Sequence, residues 1–204
     1  KEAPQNVVVK QYKSKKLKVK WKKVKDADGY RIYRYSKKKK KYIAVKTIYD
    51  YDKTSWIDKD LKNHKIYKYK VASFKVHKGK KKISKKSYWV SARTYEKKGK
   101  LVNAEQIDIT ENSPIYMGIC SELELETIIL TDKQTNNKKA RVFSEKIRWI
   151  SSDETLVKVN KKGKLTSCEE EGTCYVYAMA HNGKKKKIKV NIVKFLVILY
   201  QCRN

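Results

Sequence analysis

An alternation of apolar and charged residues near the N-terminus restricts the fold more than any other feature of the sequence. Leu17, Val19 and Trp21 alternate with lysines, which gives a β-strand one apolar face and one charged face. Turn residues at 26–29 (DADG) interrupt this pattern. It resumes at 30–35 (YRIYRY) with aromatic and β-branched side chains, which are favoured in sheets. The two segments predict neighbouring strands around a buried Trp21.

Strand-like segments continue through the first half of the chain, separated by turn signals about ten residues apart. Two lysine-rich runs, Lys37–Lys41 and Lys78–Lys82, lie between such segments and are predicted to be solvated hairpin turns, because closely spaced like charges repel. Seven short strands with this spacing are typical of an immunoglobulin-like β-sandwich. Beyond the two segments above, the predicted strands lie at 6–9, 42–48, 54–58, 67–71 and 87–94.

The first half also carries residues of a known family. Trp21 ends the second predicted strand, GYRIYR follows at 29–34, and Leu61 stands six residues before Tyr67. With these features, residues 3–95 resemble a fibronectin type III domain of the kind found in bacterial surface proteins. The resemblance implies that Tyr67 forms a tyrosine corner, in which its hydroxyl bonds to upstream backbone.

The second half shows a different ordered series of residues. It contains Gly118, a W-x-S-S-D pattern that begins at Trp149, GKLT at 163–166, and Gly172-Thr173. This series is similar to the bacterial immunoglobulin-like domains of the intimin/invasin type (group two). The segment 131–146 is longer and more polar than that pattern.

We therefore predict an all-β chain of two tandem immunoglobulin-like β-sandwiches. The fibronectin type III-like sandwich spans 1–95 and the bacterial Ig-like sandwich 105–193. The polar segment 96–104 is the predicted linker, and the tail 194–204 has no predicted place in either sandwich. The chain lacks a starting methionine and a leader, so we expect a fragment or mature piece; no apolar run reaches the ~18 residues of a membrane span.

Charge is the candidate functional feature. The chain carries 52 Lys+Arg and 21 Asp+Glu, a net +31, of which +27 falls on residues 1–100 and +4 on residues 101–204. A basic face with exposed aromatics such as Tyr33 and Tyr35 could attract polyanions. An AT-rich genome that encodes lysine as a default surface residue is an equally good account of the composition, and we favour a plain solvated basic face. The candidate polyanion contacts are Lys37, Lys38, Lys39, Lys40, Lys41, Lys80, Lys81 and Lys82.

Catalytic chemistry finds no support in the sequence. The pairs Asp50/Asp52 and Asp58/Asp60 flank lysines and are interpreted as solvated or salt-bridged carboxylates. His64, His77 and His181 lie in turn-like segments and are interpreted as surface residues. Neither a zinc ligand pattern nor a phosphate-binding loop is present, so no cofactor is predicted. Cys168 and Cys174 flank a five-residue turn, which leaves open a disulfide or two small buried thiols; we favour the thiols.

The resemblances imply a non-enzymatic, extracellular module of a bacterial surface or secreted protein. We expect a spacer or adhesive pair whose partners are anionic cell-wall polymers, host glycans or other domains of a longer chain. A glycan-binding accessory region of a larger secreted hydrolase is the alternative. Nucleic-acid binding is a further alternative, but only six of the 52 basic residues are arginine, so specific base reading is not expected.

Overall fold

A computed structural model describes residues 2–94, 103–131 and 146–194 of the chain. Every regular element in these ranges is a β-strand, as predicted. The described residues contain no helix that is long and apolar enough to cross a membrane. The chain forms two compact units. The first comprises Lys1–Gln106, Leu130–Lys146 and Ala180–Lys184, and the second comprises Ile107–Ile129, Ile147–Met179 and Lys185–Asn204.

The first unit is a sandwich of two antiparallel sheets. One sheet has the order β1-β2-β5, and the other has the order β4-β3-β6-β7, with β8 also paired to β6. Its strands are β1 (Val8–Lys13), β2 (Lys16–Lys20), β3 (Gly29–Ser36), β4 (Lys41–Ile48), β5 (Ser55–Asp58), β6 (Ile66–His77), β7 (Lys80–Ile83) and β8 (Val90–Arg93).

The core of the first unit follows the predicted alternation. Leu17 and Val19 of β2 are fully buried, and Trp21, just beyond this strand, is 5% exposed. The Trp21 ring packs against Tyr30 of β3 with a centroid distance of 5.2 Å. The inward side chains of the two sheets therefore meet around Trp21, as the sequence predicted.

Gly29 and Tyr67 make specific contacts near the starts of β3 and β6. At Gly29, which begins β3, a Cβ would clash with the Ile48 carbonyl oxygen and lie 2.7 Å from the Phe74 ring, so this position requires glycine. The Tyr67 hydroxyl accepts a hydrogen bond from the Lys62 N–H at 2.8 Å. The tyrosine corner implied by the resemblance is thus present, with the ring half-buried rather than fully buried.

The last strand of this sandwich is interrupted. β7 and β8 both pair with β6, and the residues between them bulge away from it. The Ser84 and Ser87 hydroxyls accept hydrogen bonds from the backbone N–H groups of Ser73 and Val71, each at 3.0 Å. These hydroxyls satisfy two β6 donors that a continuous strand would otherwise satisfy.

The second unit has a four-stranded sheet of order β10-β17-β16-β13 and a three-stranded sheet of order β11-β15-β14. In the first of these, Cys174 and Val176 of β16 face Val190 and Ile188 of β17, and all four are buried. A further pair joins β12 to β9. The strands are β9 (Ala104–Ile109), β10 (Ile115–Gly118), β11 (Glu122–Glu124), β12 (Thr127–Thr131), β13 (Ile147–Ser151), β14 (Val157–Val159), β15 (Lys164–Ser167), β16 (Gly172–Ala180) and β17 (Lys185–Val193).

Some boundaries differ from the sequence-based expectation. The first strand begins at Val8 rather than at residue 6. Trp149, which begins the W-x-S-S-D pattern and is expected to be a core residue, is only half-buried. In the predicted linker 96–104, Asn103 is buried and Ala104 already belongs to β9, whereas 96–102 lie outside the described residues. In the predicted tail 194–204, only Lys194 lies within the described residues.

Candidate binding face

The two lysine runs predicted as polyanion contacts are exposed but lie apart. Lys37–Lys40 form the turn between β3 and β4, Lys41 begins β4, and Lys80–Lys82 begin β7. Gly29 faces Phe74 and Arg34 faces Tyr69 in the antiparallel β3–β6 pair. The first run therefore follows the end of β3, and the second lies beyond the opposite end of that strand. The eight residues of β3 separate them by roughly 23 Å, at about 3.3 Å per residue.

A set of lysines and aromatic rings covers the outward side of the same sheet between these runs. We call it the aromatic–lysine face. The Tyr35 and Tyr42 rings meet edge to face with centroids 5.2 Å apart. The Lys68 ammonium lies 6.0 Å from the Tyr35 centroid and 5.0 Å from that of Trp89. The members of the face are Tyr33, Tyr35, Tyr42, Lys68, Lys70, Lys86 and Trp89.

Strand register assembles this face. Tyr35 pairs with Tyr42 of β4, and Tyr33 pairs with Lys70 of β6. The Lys70 ammonium reaches across to lie 5.1 Å from the Tyr42 centroid, and that of Lys86 lies 4.6 Å from the Tyr33 centroid. An ammonium group over an aromatic ring is attracted by the ring quadrupole, which holds an otherwise flexible lysine in place.

The face corrects one expectation about the aromatics. Tyr33 was expected to be exposed, but its ring is 8% exposed because it lies beneath Lys86 and its strand neighbours, whereas Tyr35 is half-buried. Lys68, Lys70 and Lys86 were not singled out from the sequence. The alternation of tyrosine and lysine at 67–70 was the available signal, and the cross-strand partners were not readable without the register.

Lys81 of the second run contacts two aromatic rings. Its ammonium lies 4.5 Å from the Tyr49 centroid and 5.7 Å from that of Phe74, and it bonds to the Tyr49 hydroxyl. Tyr49 and Phe74 meet edge to face at 5.4 Å. Lys81 thus repeats the lysine–aromatic arrangement at the other end of the sheet.

The carboxylates considered for acid–base chemistry serve structural roles. Asp58 is buried, and its Oδ2 accepts hydrogen bonds from Arg34 Nη1 at 2.7 Å and from the Tyr69 hydroxyl at 2.8 Å. Burial, followed by the neighbouring Asp58 charge, raises the pKa of Tyr69. Asp52 is exposed and forms an ion pair with Lys23. The interpretation of these groups as salt-bridged carboxylates is confirmed for Asp52 and Asp58.

His181 is not a surface residue, so that interpretation was wrong. It is 3% exposed and lies within the first unit. Its Nδ1 lies 2.7 Å from the Ser91 carbonyl oxygen, and its Nε2 accepts the Ala104 N–H at 3.2 Å. A backbone donor on Nε2 fixes the neutral tautomer with the proton on Nδ1. Desolvation lowers the pKa of His181 to about 4. His64 and His77 are exposed, as expected.

The cysteines within the described ranges are free thiols. Cys174 is buried, and burial raises the pKa of its thiol. Cys168 and Cys174 are thus free thiols, as favoured, but the expected burial holds only for Cys174, because Cys168 is partly exposed. No cluster of three or more His, Cys, Asp or Glu side chains suited to a metal occurs in the part of the chain that the structure describes.

No protein-family model and no curated protein matches this chain. Among solved structures, it is similar to the fibronectin type III domain of human contactin 1, with 21% identity over 48% of this chain and 82% of that one (TM-score 0.38). A two-domain fibronectin type III segment of chicken tenascin aligns with 14% identity over 95% of this chain and 100% of that one (TM-score 0.37). A β-1,2-glucanase from Parabacteroides distasonis aligns with 28% identity over 47% of this chain and 13% of that one (TM-score 0.38).

Proposed function

We propose that this chain is a non-catalytic, extracellular spacer and adhesive module of a bacterial surface or secreted protein, and that its first unit holds polyanions. Anionic cell-wall polymers and host glycans are the proposed partners. The observation that carries the proposal is the aromatic–lysine face, where Lys68, Lys70 and Lys86 each lie within 6.0 Å of an aromatic ring centroid.

The chemistry of this face suits undirected attraction to sulfate, phosphate or carboxylate groups. Lysine is a compact, strongly hydrated point charge, whereas arginine recognises anions through a planar fork. Aromatic rings beneath the ammonium groups restrict the lysine side chains before an anion arrives, which reduces the entropy lost on binding. The aromatic–lysine face is therefore suited to bind polymers with a high density of negative charge, rather than one particular chemical structure.

The positions of the lysine runs favour a polymer over a small anion. Lys37–Lys41 and Lys80–Lys82 lie at opposite ends of β3, roughly 23 Å apart at about 3.3 Å per residue. Exposed charges act over a Debye length of about 8 Å at physiological salt, so one small anion does not engage both runs. An extended polyanion laid along the aromatic–lysine face engages the face and both runs together.

The test compares two triple variants of the full chain with heparin, teichoic acid and duplex DNA as ligands at low and high salt. Changing Lys68, Lys70 and Lys86 to Gln removes the charges of the face. We expect weaker binding to all three ligands and, for DNA, a slope of log affinity against log salt reduced by about three, because each lost phosphate contact contributes about one. The matched control changes Lys158, Lys161 and Lys162 of the second unit to Gln and should leave the slope unchanged.

Two other results would contradict the proposal. The first is an absence of binding to any of the three polymers at low salt. The second is tight binding to a single polymer that persists at high salt, because screening weakens contacts between exposed charges.

A glycan-binding accessory role is the second candidate, and one observation favours it. Tyr35, Tyr42 and Trp89 are only partly buried on the aromatic–lysine face and offer ring surface next to lysine ammonium groups. Binding to a neutral polysaccharide that is insensitive to salt and lost in Tyr35→Ala/Trp89→Ala would support this role. Selective DNA binding that survives high salt would instead support the nucleic-acid alternative.

A further inference from the structure

Two cysteines far apart in sequence lie next to each other in the second unit. Glu122 of β11 faces Thr166 of β15 in an antiparallel pair. Cys120 lies in the turn before β11, where its φ of 52° departs from strand geometry, and Cys168 follows β15. A backbone hydrogen bond joins the two residues. The Cys120 N–H donates to the Cys168 carbonyl oxygen at 3.2 Å, and the neighbouring Ser167 N–H donates to that of Ser121 at 2.9 Å.

This placement suits a disulfide. The backbone hydrogen bond between Cys120 and Cys168 holds the two residues side by side, and disulfides bridge Cα distances of about 4.4–6.8 Å. Cys120 and Cys168 line the same surface cavity, and the Cys168 Sγ lies 3.9 Å from the Glu154 carbonyl oxygen. Cys120 is exposed and Cys168 partly buried, so a reagent reaches the pair from solvent.

Cys174 is the competing partner for Cys168, and the fold separates the two. Cys174 is 2% exposed and pairs with Val190 within the four-stranded sheet, whereas Cys168 follows β15 of the three-stranded sheet. The cavity that holds both other thiols is not lined by Cys174. Proximity in sequence would suggest a Cys168–Cys174 pair, whereas the fold places Cys168 next to Cys120.

We infer that Cys120 and Cys168 are a disulfide site that closes when the protein meets a low-molecular-weight disulfide. The exposed Cys120 thiolate attacks one sulfur of that oxidant, which forms a mixed disulfide and releases one small thiol. The Cys168 thiolate then attacks the Cys120 sulfur, forms the protein disulfide and releases the second small thiol. The protein loses two electrons and two thiol protons, and the oxidant is reduced to two thiols.

The bond would join the edge strand β11 to β15, its neighbour in the sheet. β11 is the outer strand of the β11-β15-β14 sheet and has just three residues, so few hydrogen bonds hold it. A disulfide immediately before β11 and after β15 prevents the two strands from separating. Exchange of the β11 amide hydrogens should therefore slow on oxidation, because exchange requires local opening.

The experiment uses the full chain with Cys202→Ser, which removes the thiol outside the described residues. The oxidant is cystamine, a cationic small disulfide chosen because Glu122, Glu169 and Glu170 line the cavity with the two cysteines. We expect the mass to fall by two hydrogens, a single peptide link between Cys120 and Cys168, slower β11 exchange, and reversal by a reducing thiol. A Cys174→Ala variant is the matched control and should give the same product.

Single variants test the order of attack without requiring a change in stability. Cys168→Ser should accumulate the mixed disulfide on Cys120, and Cys120→Ser should react more slowly because only the partly buried thiol remains. A link between Cys168 and Cys174 would overturn the inference. It would also be overturned if cystamine left both Cys120 and Cys168 fully alkylatable, or stopped at mixed disulfides in the protein that retains both thiols.

Discussion

At the scale of single residues, the His181 imidazole is buried and held by backbone groups at both ring nitrogens. Its Nδ1 faces the Ser91 carbonyl oxygen, and its Nε2 accepts the Ala104 N–H, so both ring nitrogens are engaged in the neutral form. Protonation of Nε2 would place a second donor against the Ala104 N–H and a charge in a buried site. The same group thus holds two backbone segments only while it is uncharged.

This arrangement predicts a pH-dependent loss of stability. Burial lowers the pKa of His181 to about 4, below its ordinary 6.5, so the unfolded chain binds its proton first as pH falls. The contribution of His181 is complete above pH 6.5 and is lost as pH falls towards 4. It amounts to at most about 3 kcal/mol, at about 1.4 kcal/mol per pKa unit. An NMR titration should show one imidazole that stays neutral down to about pH 4.

The matching stability measurement is urea unfolding between pH 7 and pH 4. His181→Gln should be less stable than the parent at pH 7, and the difference should narrow towards pH 4. His64→Gln/His77→Gln is the control, because both changes lie on exposed residues, and it should keep the parent's profile. An imidazole at position 181 that titrates near 6.5 in the folded protein would contradict the assignment.

Sequence reasoning succeeded at residues whose partners are close in the chain or share one periodic pattern. Trp21 and Tyr67 were placed correctly, since an alternating strand and a bond five residues upstream are local features. His181 was misjudged because its partners are Ser91 and Ala104, which are 90 and 77 residues away. The Cys120–Cys168 pairing was missed for the same reason, since it depends on how β11 pairs with β15.

At the scale of elements, the interrupted strand β7–β8 shows how two serines replace part of a ladder. Ser84 and Ser87 each donate the backbone N–H to a β6 carbonyl oxygen and accept a β6 backbone N–H through the side-chain hydroxyl. A strand around 90–93 was readable from the sequence, but the prediction of 78–82 as a hairpin turn was wrong for Lys80–Lys82, which belong to β7. The bulge between β7 and β8 was not readable either, because a serine hydroxyl that accepts from a strand 11 or 16 residues away leaves no periodic signal.

These hydroxyls are predicted to be stability determinants. Ser84→Ala or Ser87→Ala leaves a buried β6 N–H without its acceptor, which costs about 1–3 kcal/mol for each change. The free energy of unfolding in urea measures the loss. Ser14→Ala is the matched control, because Ser14 is exposed in the β1–β2 turn, and it should change the free energy by less than about 0.5 kcal/mol. A loss no larger than that of the control would show that water replaces the hydroxyls.

At the scale of the whole molecule, the positive charge is concentrated in the first half of the chain, where basic residues far outnumber carboxylates. Residues 1–100 carry +27 and residues 101–204 carry +4. The carboxylates of the first unit that form ion pairs include Asp52 with Lys23 and Asp58 with Arg34. With 35 Lys+Arg against 8 Asp+Glu in residues 1–100, most of these positive charges have no carboxylate to balance them, and self-repulsion opposes the compact state.

Self-repulsion predicts that salt has opposite effects on stability and on polyanion binding. Added salt screens the repulsion among exposed lysines, so the free energy of unfolding should rise with salt, whereas affinity for heparin or DNA should fall. Lys38→Glu/Lys39→Glu, in the turn between β3 and β4, should raise stability at low salt by on the order of 1 kcal/mol, because neighbouring charges interact by about that much in water. This gain should disappear at high salt.

The matched variant is Lys161→Glu/Lys162→Glu, which changes two adjacent exposed lysines in a turn of the nearly balanced second unit. It should change stability by less than the first pair and show a weaker dependence on salt. Urea unfolding of the full chain at low and high salt, alongside heparin titration of the same samples, measures both effects. Stability that falls as salt rises would mean that the ion pairs and lysine–aromatic contacts outweigh repulsion. The lysine excess would then be a stabilising feature of the sandwich in the absence of any polyanion.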